Sequence, residues 1–146
     1  MKRVLILFLQ FAFLFGTALP QRSDPGIRPL GLVRIDSIGP IEFLDSLRKM
    51  PQTICTVIPR NDWVKQFHIP IFLALLDSRD SCPNVTSMLS SFWDNHKSTI
   101  GREAAFLILG FRRGKYPPLG NSIQMKWTKS EILQWWKEWR QLNGLE

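Results

Sequence analysis

In "GPIEFLDSLRKMP", Ile41, Leu44 and Leu47 recur at three-residue steps, and Phe43 lies four before Leu47. That spacing predicts an amphipathic helix opened by Pro40 and closed by Pro51. The pattern then changes. "TICTVI", residues 53–58, is β-branched and apolar without a helical period, which predicts a buried strand. After it, Asn61 can cap a short helical turn carrying Trp63, Val64 and Phe67. "IPIFLALL", residues 69–76, reads as a second continuous apolar strand, and "DSRDSCPNVTS" as a polar loop.

Met88, Leu89, Phe92, Trp93 and His96 next fall on one face of a 3.6-residue repeat and predict an amphipathic helix. "EAAFLILGF", residues 103–111, reads as a third buried strand. "RRGKYPPLGNS" is a turn-rich connection. "IQMKW", residues 123–127, alternates as an edge strand does. The last helix starts at Thr128, whose spacing to Glu131 makes a capping box, and Gly144 supplies its stop.

Continuous apolar strands alternating with amphipathic helices predict an α/β layer structure, a small mixed sheet of about four strands with helices packed on it. From residue 53 on, the element order loosely resembles that of thioredoxin-like domains. The resemblance lies in element order. The chain has no C-x-x-C, and Cys55 falls inside a strand instead of at a helix N-terminus.

Three tryptophans sit within five residues of the last helix. Ile132, Trp135, Trp136, Trp139 and Leu142 cover roughly half its circumference at 100° per residue. That arc is wider than packing on one sheet requires. Trp139 lies near its centre and is expected in the core. The edge carrying Trp135 and Leu142, with Arg140 beside it, is the candidate partner-binding surface, since tryptophan and arginine are enriched where proteins bind each other. Contact with a membrane surface is the minor reading of the same aromatic and basic residues.

The chain opens "MKRVLILFLQFAFLFGTALP". Lys2 and Arg3 precede an apolar run from Val4 to Phe15, and small residues follow. This is the pattern of a secretory signal peptide, cut after Ala18. Residues 19–35 hold three prolines and two glycines and are expected to form a flexible N-terminal arm, leaving 36–146 as one α/β domain. Export changes the reading of everything else. The net charge of +7 falls to +5 without Lys2 and Arg3, which is modest for a nucleic-acid binder, and a secreted chain rarely meets nucleic acid. Two cysteines in an oxidising compartment, Cys55 and Cys82, predict one disulfide contributing roughly 3–4 kcal/mol. Asn84-Val85-Thr86 is a sequon, which predicts N-glycosylation at Asn84.

Catalytic chemistry finds no constellation here. His68 and His96 lack partners at recognisable spacing, and neither joins the cysteines at a metal-ligand interval. No G-x-S-x-G elbow or phosphate-binding glycine loop is present. No metal and no cofactor is expected. The expected function is therefore a small secreted glycoprotein, more a binder than an enzyme, that acts on a protein partner outside the cell. The first alternative is a thioredoxin-like, redox-related protein or enzyme of the secretory pathway without a C-x-x-C. A further alternative is a precursor processed at Arg112-Arg113.

Overall fold

The computed structural model describes residues 31–33 and 35–145. The segment read as a signal peptide, residues 1–18, and most of the expected N-terminal arm lie outside them. At the arm's end, Gly31–Val33 forms a strand, β1. It pairs in parallel with β2, Ile54–Val57, through Gly31–Cys55 and Val33–Val57. Between them runs α1, Pro40–Lys49. Pro40 sits in the first turn, where a missing N–H costs nothing, and the Gly39 N–H donates to Glu42 Oε2 at 3.0 Å. Phe43, Leu44 and Leu47 face the core. Met50 is extended before Pro51, as the residue before proline prefers, and ends the helix.

After β2 comes a short strand β3, Arg60–Asn61, and a 3-10 turn at Gln66–His68. Residues Ile69–Ala74 then form a helix, α2. The expected strand over 69–76 is thus helical. Pro70 explains it: proline in the first turn loses no hydrogen bond, whereas in a central strand it would break the ladder. Strand β4, Ser81–Cys82, follows, and then β5, Asn84–Ser87. β5 pairs in parallel with β2, so β2 is the centre of a three-stranded parallel sheet ordered β1-β2-β5. The last four residues of the segment read as a polar loop are therefore a fully buried edge strand of that sheet. Residues 88–97 contain no helix.

Strand β6, Ser98–Thr99, pairs antiparallel with β4. It leads into α3, Ile100–Arg113, which takes in the expected third strand. An apolar run buried on nearly every side does not reveal its period, and here length and caps decide. Thr99 Oγ1 accepts the Arg102 N–H at 3.3 Å, and Gly114, at φ +66°, closes the helix in the left-handed conformation. Near its start, Gly101 allows a backbone approach that no other residue permits. A Cβ there would stand 2.4 Å from the Leu76 carbonyl oxygen and 2.8 Å from that of Ser78. α3 packs on α1 and α2 and is the central pillar of the core.

Strand β7, Lys115–Tyr116, pairs antiparallel with β3. The expected edge strand over 123–127 is instead a 3-10 turn at Ser122–Gln124 followed by irregular chain. α4, Lys129–Leu142, ends the fold, with the expected capping box: Thr128 Oγ1 accepts the Glu131 N–H, and Glu131 Oε2 accepts the Thr128 N–H at 2.7 Å. The α/β class holds. The sheet, however, has three parallel strands with two small antiparallel ladders beside it, because two segments expected as strands are helix and one is a turn.

Candidate functional site

α4 presents its aromatic residues on two adjoining seams. Trp136 and Arg140, four apart, face α2. Trp135, Trp139 and Leu142 follow the next seam at i, i+4 and i+7. The buried residues of the helix are Ile132 and Trp136, so Trp136 occupies the place expected for Trp139. Trp139 is half-buried. It stacks on Trp136 with ring centroids 5.1 Å apart and meets Phe111 edge-on at 5.3 Å. Trp135 is half-buried as well, 5.4 Å from Trp127 and edge-on to Phe111. The Arg112 guanidinium lies over Trp127 and Trp135 at 5.1 and 5.8 Å, within cation–π range.

Of the three residues expected at a partner surface, Trp135 is thus largely spent on internal packing. Leu142 is 86% exposed, and Arg140 is also exposed. Arg140 stands at the rim of an open cleft of about 500 Å³ lined by Gln66, Phe67, Pro70, Trp136 and Leu145. Phe67, ahead of α2, is 70% exposed at this cleft. Sequence reading placed Phe67 on a short helical turn with Trp63 and Val64; the structure buries those two and leaves Phe67 at the surface. Among the described residues no carboxylate pairs with Arg140.

A second apolar surface is the irregular segment 88–97. Met88, Leu89, Phe92 and Trp93 are all exposed, the opposite of the core-facing helix expected for them. Asn84 explains how the segment is held. Its side chain is fully buried, and Nδ2 donates to the carbonyl oxygens of Asp94 at 2.7 Å and His96 at 2.6 Å. Oδ1 accepts from Thr86 Oγ1 and from Asn121 Nδ2 at 3.0 Å. Both amide hydrogens are engaged and the group is buried, so a glycan at Asn84 would have to displace this network. The sequon is a loop anchor in this fold.

The core beneath holds the ionisable groups. Cys55 and Cys82 are free, buried thiols, and the expected bridge is absent. Cys55 sits in the central strand opposite Val85, and Cys82 belongs to the β4–β6 ladder. Burial first, and then the nearby Glu103 carboxylate, push both thiols up to about 12. A nucleophilic thiol needs the opposite shift, so this environment does not suit thiol chemistry. Glu103 is itself fully buried, and burial raises it to about 7 against the pull of the Ser122 hydroxyl. Ser122 Oγ donates to Glu103 Oε1 and accepts the Val85 N–H. Tyr116, also fully buried, is raised well above its ordinary value, chiefly by burial.

The two histidines have structural partners. His68 Nδ1 accepts the Lys65 N–H at 3.0 Å, and burial lowers its pKa. His96 pairs with Asp94 at the surface. Arg112 and Arg113 lie in the last turn of α3, and Arg113 donates to the Pro118 carbonyl at 3.1 Å, so cleavage between them requires that turn to unwind. Among the described residues no group of three His, Cys, Asp or Glu side chains could hold a metal ion, and no helix is long and apolar enough to cross a membrane. The chain matches no protein-family model, no curated protein and no solved structure.

Proposed function

We propose that this chain is an exported, non-catalytic protein that works by binding another protein through the surface where α4 meets α2. The observation that carries the reading is the cleft at that junction, with a tryptophan at its base and a strongly exposed Phe67 in its wall; Leu142, also strongly exposed, lies on the adjoining seam of α4. Large apolar side chains held in water by a structured support are the mark of a contact surface. The charged-then-apolar opening of the sequence supports export. The burial of both thiols, which pushes them up to about 12, favours this reading over the redox alternative.

Two measurements test it. Expressed in a secreting cell, the chain should reach the medium with its new N-terminus near Leu19. Retention in the cell with Lys2 still attached would remove the extracellular setting. A photoreactive side chain at position 142 should cross-link one extracellular protein, and Phe67→Asp should abolish the adduct without moving the unfolding midpoint. An adduct indifferent to Phe67→Asp would remove the surface.

A further inference from the structure

We infer that the cleft between α2 and α4 takes a short acidic segment of a partner protein, which sets a large apolar side chain against Trp136 and a carboxylate on Arg140. The inference rests on the binding reading above and names its partner's chemistry. The cleft volume of about 500 Å³ falls within the range of specific side-chain and small-ligand sites, roughly 300–1,000 Å³. Its walls are Phe67, Pro70, Leu145 and the indole of Trp136. The polar side chains that line it are Gln66 and Arg140.

Both of those side chains can donate to a carboxylate, and the guanidinium fork can do so with two parallel hydrogen bonds. Arg140 has no carboxylate partner among the described residues, and no carboxylate lines the cleft. Lys65 adjoins Gln66 in sequence, and Lys137 lies three residues before Arg140 on α4; both are exposed. Glu138, the acidic residue nearest in sequence to Arg140, is held by Gln134 Nε2 at 2.6 Å. Among the described residues the charged side chains at and beside the cleft are therefore mainly basic and call for a negative partner. With the exported chain at +5, that charge also speeds the approach of an acidic segment.

A bilayer fits less well. Trp136, the largest aromatic of the cleft, is only 8% exposed at its base. A flat lipid surface cannot reach it, whereas a single side chain entering the cleft can.

The test titrates the isotopically labelled full chain with a matched pair of short synthetic peptides, each carrying Leu-Trp, flanked in one by glutamates and in the other by glutamines. Amide, indole and guanidinium resonances are followed by NMR. The acidic peptide should shift Phe67, Trp136 and Arg140 and bind about fivefold tighter at low salt, as an exposed charge pair allows. Arg140→Gln should remove that advantage and leave the glutamine peptide's affinity unchanged. Equal binding of the two peptides to the natural chain, or shifts that map elsewhere, would overturn the acidic preference while leaving a protein-binding cleft. No binding of either peptide, with the same resonances moved by phosphatidylserine vesicles or by self-association, would overturn both this inference and the proposed function.

Discussion

Ser122 Oγ donates to Glu103 Oε1 at 2.5 Å, and both side chains are fully buried. Burial outweighs the Ser98 hydroxyl and the Val85 N–H, which also favour the charged form. A carboxylic acid satisfies this site better than a carboxylate, because charge in the core is costly. Burial accordingly raises Glu103 from its ordinary 4.5 to about 7.

The consequence for stability has a definite sign. Between roughly pH 4.5 and 7 the folded chain holds a proton that the unfolded chain has lost. The contribution of Glu103 is therefore fully present below about 4.5 and falls as pH rises toward 7, by on the order of 3 kcal/mol. Glu103→Gln removes the titration while keeping an acceptor for Ser122. Urea unfolding should show the variant more stable than the natural chain at about pH 8, with the gap closing at about pH 4. A gap that does not change with pH would mean that Glu103 titrates alike in both states.

The thiols offer a second test. With both pushed up to about 12 and buried, Cys55 and Cys82 should resist alkylation in the native protein. Unfolding without reductant should make both react, and mass spectrometry would count two adducts. A thiol that reacts rapidly in the native state would restore the redox alternative, and a linked pair in secreted material would restore the bridge.

Asn84 anchors the segment 88–97 from inside. Asn84→Ala leaves two carbonyls, Thr86 and Asn121 without their partner, and should cost about 3 kcal/mol. Amide exchange at residues 91–97 should quicken beyond that global loss. Treatment with an N-glycosidase should leave the mass of the natural protein unchanged. A released glycan, or a neutral Asn84→Ala, would contradict the buried network.

The tryptophans of α4 should separate by burial. Trp136→Ala opens the base of the cleft and should cost about 3–5 kcal/mol, while the half-buried Trp139 and Trp135 should cost less when truncated. Unfolding midpoints of the three variants check the order. A larger loss at Trp139 would place it, and not Trp136, at the centre of the packed face.

Local chemistry was legible wherever the chain carries its own signal. Pro40 and Pro51 bound α1, Thr128 and Glu131 cap α4, and "TICTVI" is a strand, because caps, proline and β-branching act within a few residues of themselves. Pro70 and the interval from Thr99 to Gly114 carried signals of the same kind for α2 and α3. A continuous apolar run hides them, since it lacks the alternation of apolar and polar residues that separates helix from strand. What only tertiary structure decided was the fate of polar and exposed groups. Asn84, Thr86 and Ser87 read as a loop because strands are seldom so polar. They are buried because Asn121, Ser122 and the backbone of residues 94–96 arrive from far along the chain to satisfy them. Phe92 and Trp93 keep a helical spacing without a helix, because that same anchor holds their segment open. Trp136 and Arg140 meet Phe67 and Pro70 only when α4 comes to rest against α2. A cleft is a relation between distant segments, and no spacing within either one encodes it.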